Sequence, residues 1–466
     1  MLPGLAAIAC MLLAGCMTPI PAPLDRSVPT SWMQQAAPGK PMSEADLRNW
    51  WRRLGDTELD TLVDEALANN HTLAQAVARL RQQRIISGSV SAGYMPAFSA
   101  GARTVQDVSA TDSYFHTSID MVWDLGLFGA REAHERSAAA RWLSAQAQLQ
   151  AARVTLVAEV VHRYLDIRLA QQQRRLLAEV AALDARQLRL AQVRREQRID
   201  GMATLEQVQI QASALVAQQA LLKAAQANAA HGLAALLGRA KPDDSWLQTQ
   251  SHALPALPES FALSLLPADL LRLRPDIQQA EAEVEQAAGE VGVARSALYP
   301  RLVLGGSLLY AYNITRNART KFDGLPVLGP VIDVPLFDWG RRRAQMRADE
   351  QQLQARIHAY RQTVLDSVAE VESSLAAMSA QGERMQALAQ SQQSLDARLR
   401  QQQRRQQLGL DSEYGGLADK RLLLLAQSDH AVAQAARTLA YVSLYKALGG
   451  APLPPQEPLE AAEEQS

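Results

Sequence analysis

Apolar residues recur every seven positions along two long stretches of this chain. Leu169, Leu176, Leu183 and Leu190 mark the first, and Ile357, Val364, Val371, Met378 and Met385 mark the second. Shorter partners follow: Val208, Leu215, Leu222 and Leu236, then Leu425, Val432 and Leu439. A strict seven-residue period predicts coiled-coil helices with a left-handed supercoil. Ala and Gln fill the positions between. They tolerate close packing on one side and water on the other. A helix of roughly 70 residues is about 105 Å long, more than a compact globule needs.

Other segments change period. Thr117–Leu125 alternates, with Ile119, Met121, Trp123 and Leu125 against Ser118, Asp120, Val122 and Asp124. Leu328–Leu336 alternates as well, with Leu328, Ile332, Val334 and Leu336 against Val327, Gly329, Val331 and Asp333. Period two predicts strands with one apolar face. Residues 96–107 and 300–313 are two further strand candidates with looser alternation. The chain therefore repeats itself: two strands, a long helix, a turn and a second helix. One copy ends at Leu237-Gly238 and the other at Leu448-Gly449.

The expected organisation follows. Residues 1–15 read as an export signal and 16–42 as a Pro-rich tether. Residues 43–238 form repeat one, with strands within about 94–127 and a hairpin from about 130. Residues 239–261 link the repeats. Repeat two spans 262–450, with strands within about 299–337 and a hairpin from about 341 to 449. Residues 451–466, rich in Pro and Glu, read as a disordered tail.

Four strands leave open edges and cannot close a barrel alone. Apolar residues on one face and aspartates on the other suit a membrane barrel shared between copies. Asp120, Asp124 and Asp333 would then face the lumen. Three copies would give twelve strands and twelve helical segments, closed by cyclic symmetry. The fold expected is mainly α with a small membrane β part.

Composition narrows the chemistry. The formal net charge is −1, so no basic face for nucleic acid is expected. There is no GxxxxGK loop, no HExxH and no evident nucleophile–base set. No cofactor, metal site or enzymatic role is expected, and energy would have to come from a partner. Both cysteines, Cys10 and Cys16, lie near the start. Leu5–Leu13 is an apolar run too short to span a bilayer. It leads into Leu13-Ala14-Gly15-Cys16, which resembles a lipoprotein cleavage box with Cys16 as the acylated residue. An ordinary signal with an incidental Cys is the alternative. Met1–Gly4 lacks the usual positive charge, which would put the true start upstream. Met17, rather than Asp, follows the Cys and by resemblance directs the anchor to the outer membrane.

The residues resemble the TolC-like outer-membrane efflux channels, most closely their lipid-anchored, NodT-type branch. Trp50-Trp51, Asp56, Leu59, Leu62, Ala66-Leu67, Asn70, Leu73, Ala76 and Arg79 match its N-terminal signature. Leu271-Arg272-Leu273-Arg274-Pro275-Asp276-Ile277, Tyr299-Pro300 and Leu336-Phe337-Asp338-Trp339-Gly340 match later motifs. The resemblance implies a homotrimeric, passive exit duct for small molecules such as drugs. It implies a lipid-anchored position in the outer membrane with a periplasmic extension. It also implies two partners, a periplasmic adaptor and an inner-membrane efflux transporter. A protein-secretion duct and a pore-less lipid-anchored spacer are the competing readings.

The hairpin turns carry the candidate gate. Arg194, Arg195 and Arg198, then Arg404 and Arg405, cluster where cations favour a helix C-terminus. Gly201 and Gly409 are the expected turn glycines. Asp200, Asp411 and Glu413 lie beside them. One reading pairs Asp411 or Glu413 with tip arginines to hold the tip closed; the other makes these acids solvated capping residues. The family usually carries aspartates six and nine residues after the second turn glycine. Gly415 and Ala418 stand there, with Asp419 adjacent. By resemblance, Gly201, Met202 and Ala203, with Gly409, Leu410 and Asp411, would dock the adaptor. Arg341, Arg342 and Arg343 can be read as a membrane boundary or as a solvated helix start.

Overall fold

A computed structural model describes residues 24, 31–33, 44–106, 113–199, 201–249, 253–255, 257, 273–315 and 327–453. The helices among them are α1 (Glu44–Arg48), α2 (Thr57–Asn69), α3 (His71–Ser89), α4 (Ala130–Glu196), α5 (Met202–Leu236), α6 (Asp244–Leu247), α7 (Pro275–Ser296), α8 (Arg341–Gln407) and α9 (Glu413–Ala447). The strands are β1 (Ala97–Gln106), β2 (Ser113–Asp124), β3 (Arg301–Asn313) and β4 (Val327–Asp333). No described helix is long and apolar enough to cross a membrane.

The repeat is exact in its helical hairpins. The long helices have 67 residues each and their partners 35 each. Ala130 and Arg341, Met202 and Glu413, and Leu236 and Ala447 are each 211 positions apart. Both hairpins therefore have turns of equal length, 197–201 and 408–412.

One compact unit holds Val77–Gln148 and Asp276–Val364. Its antiparallel sheet has the order β1-β2-β3-β4, so β1 and β4 are its edges. The last strand is shorter than Leu328–Leu336. It stops at Asp333, and Val334–Leu336 lie outside it. Pro335 has no N–H to give the ladder. Pro330 is tolerated within β4 because β4 is an edge. In repeat one, β2 begins at Ser113, earlier than the alternation from Thr117 indicated.

The other unit holds 28–76, 149–275 and 365–466. Its helix contacts follow the heptads only in part. Leu176, Leu177, Val180, Leu215 and Leu424 form one buried cluster, with Leu183, Leu222 and Leu425 packed against it. Between Val157 and Ile167, however, α4 is buried on most of its circumference, including Val160, Val161, Tyr164 and Leu165. A single seam would leave half of these wet.

The N-terminal signature explains part of that burial. Asp56 caps α2, accepting from the N–H groups of Glu58 and Leu59, and also accepts from Tyr164 Oη at 2.6 Å. Trp50 stacks on Tyr445, centroids 5.3 Å apart, and donates from Nε1 to Gly450 O at 3.1 Å. Leu59, Leu62, Ala66 and Leu73 are buried.

The same joint closes both repeats. Gly238 and Gly449 take left-handed backbones after α5 and α9, with φ 73° and 75°. The orphan carbonyls of those helix ends receive side-chain donors. Asn70 Nδ2 donates to Leu236 O at 2.9 Å, and Arg274 Nη1 donates to Ala447 O. A Cβ on Gly238 would meet Asn69 O at 2.8 Å, and one on Gly449 would meet Leu273 O at 3.0 Å. Only glycine fits.

Candidate functional site

The sheet register separates two faces. Phe98, Phe115, Ile119, Met121, Leu308 and Leu328 share one face, and Phe98, Ile119 and Leu328 are exposed on it. Ser99, Arg103, Ser118, Asp120, Asp124 and Ser307 share the other. The expected acids Asp120, Asp124 and Asp333 all fall on this second face.

Hydroxyls hold Asp120 and a guanidinium holds Asp124. Asp120 Oδ1 accepts from Ser307 Oγ at 2.6 Å, and its Oδ2 accepts from Ser118 Oγ at 2.8 Å. Asp124 Oδ2 accepts from Arg301 Nε at 2.7 Å. Asp333 is the register partner of Arg301. Arg301 thus stands between acidic residues of both neighbouring strands. The second face carries this ordered charge, while the first is mainly apolar, with Thr104, Thr117, Tyr310 and Tyr312 among its hydroxyl-bearing residues.

At the hairpin turns the structure alters the expected roles. Gly201 does not reverse the chain. It is the N-cap of α5, with φ −80° and ψ 175°. Among the described residues, the left-handed one of the first turn is Arg198, φ 54°, and that of the second is Gly409, φ 71°. They are 211 positions apart, so Gly201 corresponds to Ser412 and not to Gly409. Backbone bonds match too: Ile199 N donates to Arg194 O at 2.8 Å, and Leu410 N to Arg405 O at 2.9 Å.

The acids divide. Asp411 lies 3.4 Å from Arg405 Nε and accepts from Ser412 N at 3.0 Å. Glu413 pairs with neither Arg404 nor Arg405. Arg186 Nε and Nη2, on α4, donate to its two carboxylate oxygens at 2.9 and 3.0 Å. These hydrogen bonds hold the Glu413 carboxyl below the usual range. Arg194 lies over the Tyr414 ring, 5.2 Å from its centroid. Arg198 and Arg404 are exposed. Asp419 is buried and bonded to Arg398, 2.8 Å away. Cys16 and Asp200 lie outside the described residues.

The sequence reading missed a second α4–α9 link. Arg421 Nε donates to Asp184 Oδ1 at 2.8 Å, and Asp184 is 2% exposed. Its sequence signal is faint: an acid beside the heptad residue Leu183. Around the turns, Ile199, Met202, Leu408 and Leu410 are exposed apolar residues, and Gly201, Ala203 and Gly409 are exposed as well.

Known proteins share this pattern. The sequence pattern of the family described as Outer membrane efflux protein matches residues 62–239 and 266–450. The pyoverdine export outer membrane protein OpmQ of Pseudomonas aeruginosa is 31% identical over 466 residues, covering 95% of each chain. Nodulation protein T of Rhizobium leguminosarum bv. viciae is 29% identical, covering 80% of this chain and 78% of its own. The solved outer-membrane channel OprN superposes with a TM-score of 0.80 at 25% identity, over 95% of this chain and 100% of that one. A matched family pattern over most of the chain, the two-faced sheet and the doubled hairpin agree: the chain belongs to the outer membrane efflux protein family.

Proposed function

We propose that three copies of this outer-membrane exit channel close into one wall of twelve strands and twelve helical segments. The duct passes small molecules passively from the cell, as pyoverdine is exported through the relative OpmQ. The observation that carries this reading is the sheet: two open edges, an exposed apolar face and an ordered polar face. Such a sheet is stable in a bilayer only when its edges pair with other copies.

A periplasmic adaptor docks at the turns, where Ile199, Met202, Leu408 and Leu410 offer exposed apolar contacts beside Gly201, Ala203 and Gly409. An inner-membrane transporter supplies energy and selects the substrate. Acylation of Cys16 anchors the chain. The gate lies across the two hairpins, with Arg186–Glu413 as its link, while Asp411 and Arg405 brace the second turn.

Planar-bilayer recording on the purified protein tests this. Discrete conductance steps are expected. A protein that enters the bilayer without conducting would support a pore-less spacer instead.

A further inference from the structure

The backbone that opens each long helix is the same in both repeats. Phe128-Gly129 and Trp339-Gly340, 211 positions apart, are left-handed pairs with φ 57° and 77°, then 59° and 79°. Their surfaces differ. In repeat one, Phe128 stacks on Tyr299 with centroids 5.0 Å apart. There Arg131 donates to Glu135 at 2.8 Å, and Glu132 offsets the charge further.

In repeat two, Leu336, Phe337 and Trp339 are 88%, 74% and 89% exposed. The Phe337 and Trp339 rings meet edge to face at 4.7 Å. The helix then opens with three cations, Arg341, Arg342 and Arg343. Arg342 is engaged, donating to Ala297 O at 2.7 Å. Arg341 and Arg343 are exposed. A cleft of about 520 Å³ lies here, walled by Leu298, Tyr299, Pro335, Leu336 and Phe337 and rimmed by Arg342 and Arg343. Its one acid, Asp338, is occupied by the N–H groups of Gly340 and Arg342.

We propose that this cleft binds an anionic phospholipid of the outer membrane's inner leaflet. The phosphate sits on Arg343 at the rim, and the acyl chains lie over Leu336 and Phe337, with the Trp339 ring edge-on against Phe337 beside them. Guanidinium forks match phosphate geometry, and aromatic side chains beside cations fit a membrane interface. A second copy is the rival occupant. Charge argues against it, because the strand edge that would meet β4 is β1. That strand contains Arg103 and no carboxylate. The helix before it, α3, has no carboxylate either.

The proposal rests on the outer-membrane placement of the channel, and the test separates the two. The full protein is reconstituted into vesicles of phosphatidylethanolamine with phosphatidylglycerol. Flotation reports membrane placement, and its failure would overturn that placement and this site with it. Native mass spectrometry then counts retained phosphatidylglycerol. The Arg343→Gln variant is expected to float normally and to bind the lipid about 5-fold more weakly. Excess inorganic phosphate should not displace it. Acyl-brominated phosphatidylglycerol should quench the wild type more than Trp339→Phe. Unchanged lipid retention in Arg343→Gln, displacement by phosphate, or equal quenching would each overturn the site. Equal quenching would place Trp339 against a second copy.

Discussion

Arg198 and Gly409 hold the same place in the two hairpins, and both take the left-handed backbone that ends a long helix. A glycine does this without a steric penalty. A side chain there costs about 1 kcal/mol. Arg198→Gly should therefore raise the thermal midpoint of the purified protein, and Gly409→Arg should lower it. A fall on Arg198→Gly would mean that the exposed arginine makes a contact in the assembly that outweighs the backbone strain.

Glycines at the repeat joints should be costlier to replace. Gly55 is also left-handed, with φ 67°, but nothing lies within 4 Å of its Cβ position. Gly55→Ala should cost about 1 kcal/mol from backbone strain alone. Gly238→Ala and Gly449→Ala add a Cβ at 2.8 and 3.0 Å from a backbone oxygen. They should cost about 3 kcal/mol or more. Equal thermal shifts at all three positions would contradict the close approach.

The Arg186–Glu413 link predicts an acid response. Hydrogen bonds from Arg186 lower the carboxyl's pKa in the folded state. The link is therefore fully present above the usual glutamate value of about 4.3 and is lost as pH falls through the lowered value. Conductance should rise over that acidic window. Glu413→Gln should show the raised conductance already at neutral pH and no step in acid. Identical pH–conductance curves for wild type and variant would remove Glu413 from the gate.

Asp120 should tune ion selectivity. It is held by Ser118 and Ser307 on the polar face of the sheet, and a carboxylate repeated around a symmetric pore favours cations. Asp120→Asn should lower the potassium-to-chloride permeability ratio, read from reversal potentials in a salt gradient. An unchanged ratio would place Asp120 away from the permeating ions.

Most of the architecture was legible in local periodicity. Period seven marked the four long helices, and period two marked strands whose faces the register then bore out at Ile119, Asp120, Asp124 and Asp333. Matching the turns by their glycines misled, because Gly201 and Gly409 look alike in sequence. Arg198, the true counterpart of Gly409, has no composition that announces a left-handed backbone. The partner of Glu413 was also hidden. The nearby cations Arg404 and Arg405 were natural candidates, yet Arg186 stands 227 positions away.

The sequence by itself determined what depends on neighbours within a few turns or strand pairs: the long helices, strand faces and the doubled order of elements. It also carried the family signature in Trp50-Trp51 and Leu273-Arg274-Pro275. Tertiary structure alone decided which helix ends are tied by Asn70 and Arg274, which acids pair across hairpins, and which junction leaves its aromatics and arginines exposed. The physical reason is separation along the chain. Periodicity records which face of an element is apolar, but a specific ion pair or cap forms only when packing brings a donor and an acceptor from distant positions within about 3 Å.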